Sequence, residues 1–102
     1  MIRRRTPLLT SKGTLIPLGV RTAVNQRDPV CVGRVIGLPG ECIGGLEMDH
    51  VRASGAIGMK SASIPANLVR LCAGHHDYKT NHGREVRPRL IAYIDDAMER
   101  SE

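Results

Sequence analysis

Three short stretches in the middle of the chain carry side chains that together can do metal-assisted hydrolysis. Asp49 is followed directly by His50, which sets a hard oxygen ligand beside an imidazole base. Asn67 comes next, and its amide can fix the tautomer and orientation of the His50 ring by a hydrogen bond. His76 then offers a second ligand for the same cation. Because phosphodiester hydrolysis needs an activated water and a neutralised phosphate charge, this ordered set indicates that chemistry.

A second set, three cysteines and a histidine, has the sulfur and nitrogen donors that structural Zn²⁺ prefers. Cys72 and His75 are spaced i and i+3, as at a helix start, although Cys72 with His76 at i+4 is an alternative pair. Cys31 and Cys42 would complete the four ligands. Ten residues separate these two, so the chain between them must turn back, and a Gly-Leu-Pro-Gly run supplies the turn.

The cysteine count and the composition both favour a metal. Three cysteines cannot all pair within one chain, which favours thiolate ligation in a reducing compartment over a disulfide framework. A Cys31–Cys42 disulfide with Cys72 free is one alternative, and cysteines buried as small hydrophobic side chains are another. The chain has two tyrosines and no Phe or Trp, so its core is poor and metal binding would add folding free energy.

The elements predicted around Asp49 and His50 follow the order strand, long loop, strand, helix. Alternating apolar and charged residues predict a strand over residues 46–51, and a second short strand is predicted over residues 68–71. A helix over residues 73–81 follows. Successive residues of a regular strand point to opposite faces, so Asp49 and His50 can act on one phosphate only if the strand ends or distorts there.

The flanking segments are predicted from weaker signals. The pattern over residues 17–28 is weakly helical, and residues 30–36 are typical of a short β segment. Gly83 suits the left-handed C-terminal cap of the preceding helix. Pro88 would open a final helix over about residues 88–100, whose apolar residues follow helical spacing. Gly55 and Gly58 mark the long loop between the strands.

Charge and hydropathy indicate the class of partner and the compartment. The net charge of +5 and the pI near 9.6 suit a polyanionic partner. No stretch approaches the roughly 18 apolar residues that would span a membrane, and the apolar run near the N-terminus is too interrupted for a signal peptide. We expect an intracellular, cytoplasmic protein with a flexible basic arm over residues 1–13 and one domain over residues 14–102.

Three runs of the sequence together resemble one known family. They are LEMDHV at residues 46–51, NLVRLC at residues 67–72 and HHDYKT at residues 75–80, within a motif core over about residues 31–80. They resemble the HNH endonuclease family, in particular its small stand-alone phage and bacterial members. The resemblance implies an α+β fold, namely a small zinc-stapled ββα-metal fold with flanking helices.

The resemblance also implies roles for residues and makes DNA the expected substrate. His50 would be the general base, positioned by Asn67, while Asp49 and His76 would bind a catalytic Mg²⁺ or Mn²⁺. Hydrolysis would proceed by attack of a water that His50 deprotonates.

The implied structural zinc site departs from the family pattern at two places. Cys72 and His75 stand where the family often has a Cys-x2-Cys pair, so a histidine replaces the second cysteine. The widely spaced Cys31 and Cys42 replace a tighter upstream pair.

Basic side chains supply candidate phosphate contacts. Lys79, one helical turn beyond His76, is one candidate, and Arg52 and Arg84 are others. Such contacts position nucleic acid without reading its sequence.

Two other functions are compatible with the sequence. One is a non-catalytic zinc module that binds DNA, and the other is a nuclease subunit active only within a phage DNA-packaging or recombination assembly. A single active site would nick one strand, and a homodimer is one way to cut both.

Overall fold

The computed structural model describes residues 15–52 and 62–100 of the chain. In chain order the elements are α1 (Leu18–Arg27), α2 (Val32–Val35), β1 (Leu46–His50), a 3-10 turn (Pro65–Asn67), β2 (Leu68–Cys72), α3 (Ala73–Asn81) and α4 (Gly83–Arg100). The protein is therefore a small α+β fold, as the sequence predicted at this level. None of the helices in the described ranges is long and apolar enough to cross a membrane.

The two strands form an antiparallel pair that positions most of the candidate residues. Leu46 lies opposite Cys72, and His50 lies opposite Leu68 at the other end of the pair. Four of the five β2 residues are buried, because helices cover this strand, while β1 keeps one buried residue, Asp49. Both strands and α3 lie where the sequence predicted them, to within one residue at each end.

Helix α1 follows Pro17 and ends at Arg27, in agreement with the helix predicted over residues 17–28. Its one buried residue is Val24, which packs with Ile16 and Leu68 in a small apolar cluster. This contact attaches α1 to the start of β2.

The prediction of a short β segment over residues 30–36 is wrong, because this stretch contains the helical turn α2. Ile36 donates its backbone N–H to the carbonyl of Val32, and Leu38 donates to that of Gly33. A short apolar run does not distinguish a strand from a buried helical turn. The following Gly-Leu-Pro-Gly run does form the predicted turn, with φ of 79° at Gly37 and 92° at Gly40.

The start of the last helix also differs from the prediction. Gly83 is the first residue of α4 rather than a left-handed cap, and Pro88 lies inside that helix. His82 ends α3 instead, and its carbonyl accepts from the N–H groups of Glu85 and Val86. Pro88 is exposed. The predicted apolar spacing is confirmed further along α4, where Leu90, Ile94 and Ala97 are buried together with Val86.

The main core lies between the strand pair, α2 and α4. Its buried members are Cys31, Val32, Leu38, Val51, Val69, Leu71, Cys72, Val86, Leu90 and Ile94. Two cysteines belong to this core, so the candidate zinc site is continuous with it. The basic arm predicted over residues 1–13 lies outside the described residues, as do Gly55 and Gly58 of the predicted loop.

Candidate functional site

Three sulfur atoms and one imidazole nitrogen converge at the edge of the core. Their ligand atoms all lie within 4.8 Å of one another, and the residues are Cys31, Cys42, Cys72 and His75. Nδ1 of His75 is 3.3 Å from Sγ of Cys31 and 3.3 Å from Sγ of Cys72. The third sulfur, on Cys42, is 3.7 Å from the same nitrogen. This Cys3His cluster can bind a metal such as zinc, with the ligands that the sequence predicted.

The backbone around the Cys3His cluster holds these donor atoms in position. Nε2 of His75 lies 3.0 Å from the carbonyl oxygen of Gly40, which can only accept, so this nitrogen carries the proton and Nδ1 faces the sulfurs. The N–H of Cys72 donates to Sγ of Cys31 at 3.2 Å. The N–H of His75 donates to Sγ of Cys72 at 3.3 Å, at the start of α3. A histidine arranged in this way matches a metal ligand with its second nitrogen anchored.

The sulfur atoms titrate differently because they share one small space. Burial raises the pKa of Cys72, but hydrogen bonds from the backbone N–H groups of His75 and Ile43, together with those of the Cys42 and Cys31 side chains, outweigh it and lower that pKa to about 6. Burial and the hydrogen bonds and charges of the two other cysteines raise the pKa of Cys42 to about 11. Burial lowers the pKa of His75, whereas the neighbouring sulfurs raise it, and the net direction is upward. A negative charge on one thiolate therefore makes ionisation of the neighbouring thiols less favourable. A bound cation would offset the repulsion between the thiolates.

Gly33 lets α2 pack directly against the imidazole of the cluster. A Cβ atom at this position would lie 2.7 Å from Cγ of His75 and 3.0 Å from its Nδ1. Contacts this short do not occur, so only glycine fits without displacing the ring. No local pattern predicts this contact, because it depends on how α2 packs against α3.

A second cluster forms where β1 meets α3. Oδ1 of Asp49 lies 3.0 Å from Nε2 of His76, and Oδ2 lies 2.8 Å from Nζ of Lys79. The other ring nitrogen of His76, Nδ1, is 2.6 Å from Oε1 of Glu47. Asp49 is 7% exposed, whereas the side chain of His76 is 36% exposed. The two residues predicted to share a cation are thus in contact, with His76 at the solvent side.

His50 follows Asp49 directly at the end of β1. Nε2 of its imidazole is 3.0 Å from Oγ of Ser63. Its backbone carbonyl accepts a hydrogen bond of 2.8 Å from Nζ of Lys79. β1 ends at His50 and the chain bends at the next two residues, which is the strand end that the sequence required.

Asn67 has different partners from the one predicted for it. Its Oδ1 accepts from the N–H of Arg52 at 2.9 Å, and its Nδ2 donates to the carbonyls of Arg52 at 3.1 Å and Ala62 at 2.9 Å. These bonds replace the predicted direct bond to the His50 imidazole. Asn67 instead joins the backbone of Arg52 to that of Ala62, on the two sides of residues 53–61.

The basic residues predicted to touch phosphate divide into two groups. Lys79, predicted as a candidate phosphate contact, is 9% exposed, and its ammonium contacts Asp49 and the backbone carbonyl of His50. Arg52 and Arg84 are exposed. Their contact with nucleic acid stays a prediction.

Glu47 and Ser63 contact the site but were not among the predicted residues. For Glu47 a signal existed, because residues i and i+2 of a strand share a face and Glu47 precedes Asp49 by two. Ser63 is 13 positions from His50 in sequence, and no local pattern links the two.

Comparison with known proteins identifies no relative of this chain. No protein-family model matches it, and searches of curated proteins and of solved structures also find no match. Function is therefore inferred from the residues and contacts above.

Proposed function

We propose that this protein is a metal-dependent DNA endonuclease of the HNH type with a structural zinc site. The observation that carries the proposal is the contact of 3.0 Å between Oδ1 of Asp49 and Nε2 of His76, with His50 at the same strand end. Further support comes from the order strand, strand, helix, in which β1 and α3 supply the two residues and β2 pairs with β1. The resemblance of the sequence to HNH endonucleases implies the same arrangement.

The donor set of the Cys3His cluster fits Zn²⁺. Four ligands of sulfur and nitrogen form the closed arrangement typical of a structural zinc. The anchored Nε2–H of His75 and the backbone N–H groups that donate to sulfur are the surroundings that such ligands usually have. Zinc here would link three parts of the chain. These are Cys31 before α2, Cys42 in the following loop, and Cys72 with His75 where β2 meets α3.

The Asp49 and His76 pair fits a harder cation such as Mg²⁺ or Mn²⁺. Two neighbouring donors about 2.1 Å from one octahedral ion are about 3 Å apart, and the two atoms here are separated by 3.0 Å. Oδ2 of Asp49 is buried and, within the described ranges, has no hydrogen-bond partner, although it is in an ion pair with Lys79. A carboxylate with spare lone pairs beside an imidazole suits a divalent ion.

In the proposed mechanism, each side chain has a defined task. Glu47 accepts a hydrogen bond from Nδ1–H of His76, which leaves the lone pair of Nε2 free to bind the ion. His50 donates from Nε2 to Oγ of Ser63, so its Nδ1 is free to take a proton from the attacking water. The oxygen of that water bonds to phosphorus and the bond to the 3′ oxygen breaks. The bound ion would supply neutralisation of the phosphate and stabilisation of the departing oxygen.

The alternative of a non-catalytic zinc module requires the histidines to serve only structure. His75 does belong to the Cys3His cluster, but His76 lies outside it and is paired with Glu47 and Asp49. This separation favours the nuclease. A nuclease that needs partner proteins has the same site and differs only in how it is activated.

The experiment is cleavage of supercoiled plasmid by the purified protein, with zinc content measured on each sample. We expect conversion to nicked circles when Mg²⁺ or Mn²⁺ is added and none without them. His76→Ala should lose cleavage but keep zinc and fold. His82→Ala is the control, because His82 is exposed at the end of α3 and belongs to neither cluster.

Loss of zinc and of folded structure in His76→Ala would favour the non-catalytic zinc module. No cleavage by folded, zinc-loaded wild-type protein, alone or with added packaging or recombination proteins, would contradict the nuclease proposal.

A further inference from the structure

We propose that Lys79 is a positioning residue, which acts as the built-in counter-ion of Asp49 and fixes the end of β1 from inside the protein. The catalytic part of this inference rests on the proposed nuclease function, whereas the pairing itself does not. The role is different from the phosphate contact that the sequence indicated for Lys79.

The contacts of the Lys79 ammonium carry the inference. Its side chain is 11% exposed, and Nζ lies 2.8 Å from Oδ2 of Asp49 and 2.8 Å from the carbonyl oxygen of His50. His76 and Lys79 are spaced i and i+3, so both extend from one face of α3 toward β1. The imidazole meets one oxygen of Asp49 and the ammonium meets the other.

Electrostatics explains why a lysine is needed there. A buried carboxylate without a counter-charge is costly, and removing one member of a buried ion pair destabilises a protein far more than removing both. Asp49 is 7% exposed and must stay ionised to bind a cation. The Lys79 ammonium is a counter-charge 2.8 Å from Oδ2, which compensates the carboxylate in the absence of a divalent ion, while Oδ1 contacts His76.

The same ammonium also reaches the residue that we assign as the general base. By donating to the carbonyl of His50 it fixes the last peptide of β1, where the chain begins to bend. One group therefore sets the relative position of a metal ligand and of the base. Small displacements of such groups reduce catalysis strongly.

A phosphate contact and a positioning role predict different measurements. Loss of a phosphate contact weakens DNA binding and lowers the salt dependence of binding by about one counter-ion. Loss of a positioning group leaves DNA binding and its salt dependence unchanged but lowers kcat, by about 10- to 100-fold for groups that support metal ligands.

The first test is a double-mutant cycle on thermal unfolding, using Lys79→Met, Asp49→Asn and the double variant, each with zinc measured. We expect Lys79→Met to lower Tm more in the wild-type background than in the Asp49→Asn background, where the hydrogen bond to the His50 carbonyl is the contact that is still lost. Additive shifts in Tm would overturn the pairing. If Lys79→Met alone does not fold, we expect the double variant to fold, because it contains no unpaired buried carboxylate. A double variant that also fails to fold would overturn the pairing.

The second test measures DNA binding against salt and steady-state cleavage for Lys79→Met beside Arg84→Met, an exposed candidate phosphate contact. We expect an unchanged salt dependence and KM with reduced kcat for Lys79→Met. If Lys79→Met instead lowers the salt dependence of DNA binding by about one counter-ion and leaves kcat unchanged, Lys79 is a phosphate contact. If wild-type protein cleaves nothing, the nuclease proposal fails, whereas the unfolding cycle still tests the pairing.

Discussion

At the scale of single residues, the carboxylate of Glu47 decides how His76 can act. Glu47 shares a strand face with Asp49, and its Oε1 is 2.6 Å from Nδ1 of His76. A carboxylate on one ring nitrogen fixes the tautomer and makes the other nitrogen a better ligand. Both side chains of this pair are more than a third exposed, so we expect it to tune metal affinity rather than stability.

We predict that Glu47→Gln weakens Mn²⁺ binding by about 10-fold while zinc content and Tm stay close to wild type. The amide keeps the shape of the side chain but removes the charge that supports the imidazole. Mn²⁺ titration followed by electron paramagnetic resonance measures the affinity. Glu99→Gln is the control, an exposed acid of α4, and equal affinity in wild type and Glu47→Gln would contradict the assigned role.

At the scale of elements, local sequence patterns predicted the parts of the site that local chemistry determines. The alternation before His50 predicted β1, and the i and i+3 spacing of Cys72 and His75 predicted two ligands at the start of α3. The wide spacing of Cys31 and Cys42 required a turn, and positive φ angles are found there.

The sequence did not reveal features that depend on how elements meet. The stretch before Gly37 is rich in Val and Ile, which is compatible with a strand and also with the helical turn α2. Packing against the rest of the protein determines which of the two forms. Whether Lys79 points outward or toward Asp49 depends on the face that α3 turns to β1. The partners of Asn67 likewise lie on backbone that only the folded loop brings near it.

The contact between α2 and α3 gives a prediction at this scale. Gly33→Ala should lower the free energy of unfolding by about 1–3 kcal/mol and reduce zinc affinity, because the added methyl overlaps the ring of His75. Gly19→Ala in α1 is the matched control. Its Cβ meets nothing within 4 Å, so the change should stabilise the helix by about 0.5–1 kcal/mol. Chemical denaturation and a zinc-release assay measure both, and equal effects at the two glycines would contradict the packing described.

At the scale of the whole molecule, one buried carboxylate links elements that are distant in sequence. Asp28 is 1% exposed and lies between α1 and α4. Arg27 donates to both of its oxygens, at 2.9 and 2.8 Å, and Oη of Tyr93 donates to Oδ1 at 2.7 Å. Arg70 of β2 donates to the backbone carbonyl of Asp28 at 3.1 Å. With so few aromatic residues, this network and the Cys3His cluster supplement the apolar core.

The network predicts a dependence of stability on alkaline pH. Burial, the hydrogen bond to Asp28 and the charge of Asp28 raise the pKa of Tyr93 from 10.0 to about 12. Since the folded state favours the protonated phenol, its contribution is complete below pH 10 and is lost as the pH rises toward 12. Wild-type stability should therefore fall more steeply over this range than that of Tyr93→Phe.

Two measurements check this dependence. Denaturation at increasing pH compares wild type with Tyr93→Phe. Tyrosinate absorbance of Tyr78→Phe, in which Tyr93 is the one remaining tyrosine, follows the phenol directly. Titration of that phenol near pH 10 in folded protein would contradict the buried contact with Asp28.

The proposed nuclease function is tested most directly by the rate of plasmid nicking in Mg²⁺ or Mn²⁺ for wild type and His50→Ala at equal zinc content. We predict metal-dependent nicking by the wild type. We predict its loss, with fold and zinc retained, in His50→Ala, because the variant lacks the proposed base. Nicking by His50→Ala at the wild-type rate would contradict the assignment of His50 and the mechanism built on it.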